Sequence, residues 1–475
     1  MSGDRGGRAK DHMDYAYDLD IAIKPTVSVP KLGYSYGHYT GSGNVLFSTG
    51  WGILRSVLGD ILTRFHARRG YKVVETPILA RTTLYKVSGH IDYYRENMYI
   101  FNVKGEGGEL EEFALKPMNC PYHILILMNL IEKYRSKVKL PFKIFELGKV
   151  HRYELSGTLR GLLRVRGFTQ DDAHIFTPKE EAVNAIVEVF EELKELYEKL
   201  FHIDVNSSNI KLRLSFSNHE EIGKEFMGSQ EEWINAEEVI SKAASEIKSR
   251  YGVESFIGWG EAAFYGPKID VVAVIEEEER EWQIGTMQFD FNLPKRFRLE
   301  DLIREVYGTD VEIYMIHRAL LGSLERFVGV YLEAFKGRLP FVLAPIQVVV
   351  MPIKAGSPLD GEIEDMANSV MDVLLNNDIR ASKVETTRTS IGGTIRRLET
   401  TIKPPIIVAV GPEEVKKRIL SIRVYDYKAR RPRTIREPYD DEATALLSLI
   451  DKMEAPVREL VGVSPRLPVV LDYIS

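Results

Sequence analysis

The spacing of apolar residues changes along the chain, and each change marks an element. Between Trp51 and Arg69, apolar side chains stand at 53, 54, 57, 58, 61, 62 and 65, the three-to-four spacing that gives a helix one apolar face, and Gly70 stops it. YKVVETPIL then reads as a strand ending around Pro77. KIFELGKVHRYE and RVRGFTQDDAHIF form a hairpin-like pair across LSGTLRGLL, whose Ser-Gly-Thr is a turn signal. The pattern predicts long amphipathic helices near 179–200 and 231–250, strands in FYGPKIDVVAVI and REWQIGTMQFDF, and a helix around 316–336.

After Gly337 and Pro340 the pattern shifts. LAPIQVVVMPI is nearly all apolar, the mark of a strand buried on both faces. A helix near 359–377, the strand DIRASKVE, a helix near 391–401, the strand PIIVAVG and the basic hairpin SIRVYDYKARRPRTI follow, an alternation that predicts a compact α/β unit. The expected organisation is a polar leader or arm over 1–32, a first domain over 33–338 with order beginning near Tyr34, and a second over 339–475.

One strand carries an unusual face. Side chains alternate along a strand, so Phe168, Gln170, Asp172, His174 and Phe176 share one side of RVRGFTQDDAHIF. An amide, a carboxylate and an imidazole between two rings make a poor core face. They fit either the solvent side of an edge strand or the floor of a site.

Composition narrows the class. At 475 residues the chain exceeds one core, and 44% hydrophobic with 28% charged residues is ordinary for soluble proteins. No apolar run is long enough to span a bilayer, and the N-terminus has no signal-peptide core, so the expected location is the cytoplasm. The single cysteine, Cys120, excludes an internal disulfide. Net charge is −6, yet Arg380 to Arg436 holds 15 basic against 5 acidic side chains, a local +10 that fits a solvated face or a phosphate-binding surface.

Candidate chemistry is dispersed. Arg152 and Glu154 share a strand face, Arg164 begins the partner strand, and Arg326 lies in the helical GSLERF; each fits a surface ion pair or a bidentate phosphate contact. The chain has neither a GxxxxGK[ST] loop nor a GxGxxG following a strand, so a bound nucleotide would be held by side chains on an antiparallel sheet. Cys120 in KPMNCPYH precedes an apolar helical run, where a helix N-terminus favours thiolate. With His174 and with His317, expected at a helix start in MIHRALLGS, it could hold zinc with a position left open, or be an inert core thiol.

Together these stretches resemble one family. The helix before YKVVETPIL, FELGKVHRYE with LRVRGFTQDDAHIF, and MIHRALLGSLERF are similar in order to the three motifs of class II aminoacyl-tRNA synthetases. KPMNCP, RGFTQDDAHIF, FYGPKID and IHRALLGSLER resemble threonyl-tRNA synthetases, over residues 34 to 475. The resemblance implies an antiparallel catalytic sheet of six or seven strands flanked by helices, a smaller C-terminal α/β anticodon-binding domain, and a homodimer assembled through the first motif. It implies that Arg152 clamps the ATP α-phosphate and the threonine carboxylate, that Glu154 accepts from the adenine amino group, that Arg164 and Arg326 take the γ-phosphate end, and that Phe168 and Arg326 sandwich the adenine, with Mg2+ accompanying ATP. Cys120, His174 and His317 would hold one Zn2+ per subunit, Asp172 would accept the threonine hydroxyl, and Gln170, Met118 and Tyr265 would line the amino-group side. Lys268, Gln283, Gln288 and Ser323 would complete the pocket, and His90 would assist transfer to the tRNA ribose. In the second domain Glu414 and Arg423 would read anticodon bases of tRNA(Thr), with Arg388, Arg396 and Arg397 near phosphates.

Two departures and one local conflict accompany the resemblance. Only about 32 residues precede the expected catalytic core, where most members carry an editing domain, so serine mischarging is expected to need a separate editing protein. Tyr122 replaces the usual glycine and is expected to narrow the pocket rim. Strict alternation puts Gln283 and Gln288 on opposite faces, so both can line one site only if a bulge intervenes, for which Gly285 is the natural place. A prolyl or seryl synthetase, or a dead RNA-binding paralogue, is the alternative; the Cys, His, His set disfavours the former, and retention of Arg152 and Arg326 the latter.

Overall fold

The computed structural model describes residues 10–467 apart from 207–209, 276–279, 355, 357, 385 and 387–390. In chain order its strands are β1 (Lys72–Val73), β2 (Leu79–Arg81), β3 (Ile100–Lys104), β4 (Leu110–Leu115), β5 (Phe142–His151), β6 (Gly167–Pro178), β7 (Ile210–Phe216) and β8 (Ser255–Trp259). These are followed by β9 (Lys268–Ile275), β10 (Arg280–Asp290), β11 (Ile313–Ser323), β12 (Val348–Pro352), β13 (Ala381–Lys383), β14 (Ile406–Val410), β15 (Ile419–Asp426) and β16 (Arg431–Pro438).

An eight-stranded sheet, ordered β1-β5-β6-β11-β10-β9-β7-β8, forms the larger unit. Its six inner strands run antiparallel, as expected, and a parallel strand is added at each edge, by β1 on β5 and by β8 on β7. One face is covered by helices Ala182–Phe201 and Gln230–Tyr251, whose apolar stripes bury Phe190, Leu193, Leu196, Trp233 and Ile240 against Ile175, Leu212 and Val271. The other face is left to polar residues and becomes the floor of a cavity. A second sheet, β13-β12-β14-β15-β16, joins three parallel strands to the basic hairpin, and β12 is buried at every position, as its apolar run predicts.

Two local expectations are corrected. The run 313–323 is a strand, β11, not the start of a helix; the helix begins only at Leu324, with Ser323 as its N-cap. Every residue from Ile313 to Leu321 is buried, so both faces are apolar enough that period alone cannot separate strand from helix. The N-terminal stretch expected to be an arm carries a helix, His12–Asp18, closed by an Asp11/Asp14 capping box. This helix packs on Leu324–Ala334, where His12 Nδ1 lies 2.6 Å from Glu333, and Ala16 and Ile21 are fully buried; two apolar anchors are too few to announce a period. A small sheet, β2-β4-β3, completes the first unit beside the large one; β3 is largely exposed and shows no alternation.

Candidate active site

The polar face of β6 is the floor of a cavity of about 450 Å³, a size suited to a compact organic ligand. Phe168, Gln170, Asp172 and His174 all line it, so the alternation read from the sequence decides for a site rather than a solvated edge. β6 cannot be an edge, since β5 and β11 pair with it on either side. Phe176, the last of the row, lies beyond the cavity in a core cluster with Cys120 and Ile124.

Arginines gather at one end. Arg152, Arg164 and Arg326 line the cavity with Glu154. Arg152 Nε donates to Pro117 O at 3.2 Å, and its guanidinium sits 5.1 Å over the Phe168 ring. Arg326 Nε donates to Leu163 O at 2.9 Å. Burial, and then the positive charges of Arg164 and Arg152, bring Arg326 down to about 10 despite the opposing charge of Glu154. It is still a cation at neutral pH, crowded by two others and held by a carbonyl rather than a carboxylate. Such a set is organised in advance for an anionic ligand.

The opposite end holds Cys120, His174 and His317. All three are buried, and one ligand atom from each lies within 4.8 Å of the others. His174 and His317 are register partners on β6 and β11, which brings His174 Nε2 to 2.9 Å from His317 Nδ1. Cys120 begins the helix Cys120–Tyr134. The remote ring nitrogens are also engaged: His317 Nε2 is 2.8 Å from Asp290, and His174 Nδ1 is 2.7 Å from His123 Nδ1. A donor set of one sulfur and two nitrogens, with outer partners on both imidazoles, suits a zinc-like ion. The expected thiolate at a helix N-terminus is corrected: burial, then Asp172 and Asp290, push the Cys120 thiol well up, outweighing the favourable backbone contact. A cation bound beside the sulfur is what would make it a thiolate.

Between the two ends lie the polar groups of β9 and β10. The pairing of β10 with β9 shifts register between Gln283 and Gly285, the bulge that alternation required, and both Gln283 and Gln288 line the cavity. A Cβ at Gly285 would meet Leu320 O at 2.8 Å, so only glycine fits there. Asp270, fully buried, is the hub: it accepts from Lys268 at 2.6 Å, Gln283 at 2.6 Å and Ser215 at 2.9 Å. Tyr265 donates to Gln288 Oε1, and its ring stacks on His317 at 4.6 Å. Ser323 lines the cavity beside a second irregularity, where the register of β11 shifts between Ala319 and Ser323; the carboxylate of Asp171 holds it by accepting from Leu320 N and Leu321 N. Met118 joins the lining from the segment before Cys120.

Asn119 is a residue that motif reading missed. Its Nδ2 donates to Asp172 Oδ2 at 2.8 Å, fixing that carboxylate, and a Cβ at Gly148 would lie 2.2 Å from the same nitrogen. Asp270, Asp290, His123 and Glu146 were missed likewise. For two of them a signal existed: Asp270 is two residues from Lys268 and Asp290 two from Gln288, on the faces already assigned to the site.

Some expected residues lie elsewhere. His90 is fully buried behind the cavity wall, with Nδ1 2.8 Å from Ser88 Oγ and Nε2 3.2 Å from Met118 Sδ; burial, then the charges of His317, Arg152 and Arg296, bring it down to about 3. It does not line the cavity; its ring lies against Met118, and Cys120 Sγ is 3.8 Å from the same Nε2. Tyr122 does not narrow the rim: it packs with Tyr85 and Met98 and donates to Leu79 O. In the second unit Glu414 is committed internally, accepting from Gly411 N at 3.0 Å and Ser421 Oγ at 2.6 Å. Arg423 pairs with Glu399 at 2.5 Å on a partly exposed surface of β15, and Arg396 and Arg397 are exposed on the helix Ile391–Arg397. Arg388 lies outside the described residues.

An antiparallel sheet that holds an arginine-lined cavity on one face and two long helices on the other, followed by a small α/β unit, is the architecture of a class II aminoacyl-tRNA synthetase. Residues 101–335 match the tRNA synthetase class II core domain (G, H, P, S and T), and residues 347–438 match the anticodon binding domain. A threonine–tRNA ligase catalytic subunit from Aeropyrum pernix is 50% identical over 98% of this chain and 99% of its own length. The crystal structure of ThrRS-1 from the same organism superposes with a TM-score of 0.92, covering 98% of this chain and 100% of that one. A threonine–tRNA ligase from Synechococcus elongatus is 39% identical over 83% of the chain, which spans 62% of that longer relative. The chain belongs to the threonine–tRNA ligase family.

Proposed function

We propose that this cavity condenses threonine with ATP and passes the threonyl group to the 3′ end of tRNA(Thr), with zinc reading the amino acid and the arginines reading the nucleotide. The observation that carries the reading is the pairing, in one cavity, of the Cys120, His174, His317 cluster with Arg152, Arg164 and Arg326 at the other end. A prolyl- or seryl-type site gives no reason for the former, and a dead paralogue none for the latter.

In the first step a threonine carboxylate oxygen attacks the α-phosphorus, the bond to the bridging oxygen breaks, and pyrophosphate leaves. In the second, a ribose hydroxyl of the tRNA attacks the carbonyl carbon and AMP leaves. Little proton transfer by the protein is needed, so positioning and charge stabilisation dominate. Arg152, whose guanidinium lies over the Phe168 ring, would bridge carboxylate and α-phosphate; Arg164 and Arg326 would take the outer phosphates, which arrive with Mg2+. Phe168 and Arg326 enclose the adenine, and Glu154 accepts from its amino group. Lys268, held by Asp270, adds a positive charge on the pyrophosphate side, and Gln283 and Ser323 complete that wall.

Zinc, when held by Cys120 Sγ, His174 Nε2 and His317 Nδ1, would supply a Lewis-acid position for the amino and hydroxyl groups of threonine. Asp172, fixed by Asn119, accepts the hydroxyl proton, and Gln170, Met118, Tyr265 and Gln288 border the amino group. A pocket that reads only shape separates threonine from isosteric valine by about a hundredfold, whereas one that binds the hydroxyl does far better. Serine retains both groups and lacks one methyl, worth roughly 1–3 kcal/mol. The 475-residue polypeptide should therefore charge serine onto tRNA(Thr), and a separate protein would clear it.

Arg423 and the exposed Arg396 and Arg397 support an anticodon-facing surface on the second unit, and Glu414 shapes it by capping the helix Pro412–Lys417. A homodimer is supported by Val73, Ile78, Leu79, Phe101, Val103 and Leu110, exposed apolar residues around β1 and the small sheet, next to the first motif. Amino-acid-dependent ATP–pyrophosphate exchange tests the whole reading: threonine should drive it, and exchange driven equally by proline would overturn it.

A further inference from the structure

Behind the cavity, a chain of buried groups leads away from His174. Its Nδ1 is 2.7 Å from His123 Nδ1, and His123 Nε2 is 3.2 Å from Glu146 Oε2. Glu146 Oε1 in turn accepts from Lys116 Nζ at 3.0 Å and Thr76 N at 3.0 Å, while Oε2 also accepts from Thr76 Oγ1 at 2.8 Å. His123, Glu146, Lys116 and Thr76 are all buried, and none of them lines the cavity. We propose that Glu146 and His123 form a proton-ordering relay that fixes the tautomer of His174, so that its Nε2 lone pair faces the cavity as a metal ligand.

The order follows from counting donors. A carboxylate only accepts, so His123 carries its proton on Nε2 and leaves Nδ1 as an acceptor. His174 then carries its proton on Nδ1, and Nε2 faces His317 Nδ1 without one. The other imidazole is ordered in one step, since Asp290 accepts from His317 Nε2. Each histidine is thus set by a carboxylate, one directly and one through a neighbouring ring. His123 is one helical turn beyond Asn119 and three residues beyond Cys120, so the first turn of the helix Cys120–Tyr134 aligns sulfur, amide and imidazole together.

The inference rests on zinc being the ion held here, and its test separates the two. Replacing Glu146 with glutamine reverses the relay. The glutamine oxygen must face Thr76 N–H at the Oε1 position, so the amide NH2 falls at the Oε2 position and donates to His123 Nε2. His123 then donates from Nδ1, and His174 is protonated on the nitrogen that should bind metal. Lys116 would lose its anionic partner, so the variant to make is K116M/E146Q, which removes the pair without leaving a buried charge. H123N is the complement: an asparagine oxygen near the Nδ1 position can still accept from His174, and it ends the dependence on Glu146.

Zinc affinity is measured by chelator competition, with the visible spectrum of the Co2+-loaded protein as a second readout and circular dichroism as a folding check. Wild type should bind one zinc, K116M/E146Q should bind it about 10- to 100-fold more weakly, and H123N should stay within about threefold of wild type by keeping the same acceptor. In the H123N background, K116M/E146Q should cause no further loss. Absence of zinc in wild type overturns the metal reading itself. Zinc in wild type with an equal loss from K116M/E146Q in both backgrounds, or with no loss at all, overturns the relay alone.

Discussion

Arg326 links the electrostatics of the cavity to the proposed chemistry, and R326Q should raise stability while removing activity. Burial and the two neighbouring guanidinium groups bring Arg326 from its ordinary value down to about 10. A fall of that size means that folding disfavours the charged form by about 3 kcal/mol. Because the value is lowered, the penalty is present at every pH below about 10, where both folded and unfolded chains carry the charge, and is relieved only above it. Glutamine removes the charge but also the bond to Leu163 O, which returns about 1 kcal/mol. The net gain is about 1–2 kcal/mol, or about 1–2 °C in melting temperature for a chain this long. Losing one preorganised cation from the phosphate site should lower threonine-dependent exchange by about 100- to 1,000-fold. Differential scanning fluorimetry of the ligand-free protein and a pyrophosphate exchange assay read the two effects. A lower melting temperature with exchange retained would contradict the account, because Arg326 would then be a stabilising residue without a phosphate to hold.

Further outcomes follow from other sites. G148A pushes its Cβ into Asn119 and frees Asp172, so the threonine KM should rise about tenfold, as expected for one lost bond to a charged group, while the ATP KM changes little. R423A should raise the KM for tRNA and leave threonine-dependent exchange near normal; equal loss of both would indicate a folding defect. With serine, the purified polypeptide should form Ser-tRNA(Thr) that persists, and prompt deacylation by the same polypeptide would refute trans editing. Burial opposes ionisation of Glu146, but His123, Lys116 and Thr76 outweigh it and hold the carboxyl at about 2. Its stabilising contribution is therefore complete above the ordinary carboxylate range and lost as pH falls toward 2, so the acid limb of the melting profile should flatten in K116M/E146Q.

The parts of the site that a single strand carries were legible in alternation, whereas the Cys120, His174, His317 set, which spans a helix and two strands, was suggested only by residue type and resemblance. Alternation alone put Phe168, Gln170, Asp172 and His174 on one face, and the conflict between Gln283 and Gln288 marked Gly285 as the place for a bulge if both line the site, which is where the register shifts. β11 was misread because a strand buried on both faces, running straight into a helix, has no distinguishing period. The helix His12–Asp18 was missed because its anchors are few and its partner, Glu333, is 321 residues away. Tertiary contacts also reversed local expectation at Cys120, where burial among Asp172 and Asp290 outweighs the helix N-terminus. Asn119, His123 and Glu146 act on partners at least 23 residues distant, a relation that no motif spacing announces.

The most direct test of the central claim joins zinc to threonine. Purified protein should contain one zinc per chain and support threonine-dependent ATP–pyrophosphate exchange, and C120A should lose both while remaining folded by circular dichroism. Full threonine-dependent exchange by a zinc-free C120A protein would contradict the claim that the Cys120, His174, His317 cluster reads the amino acid.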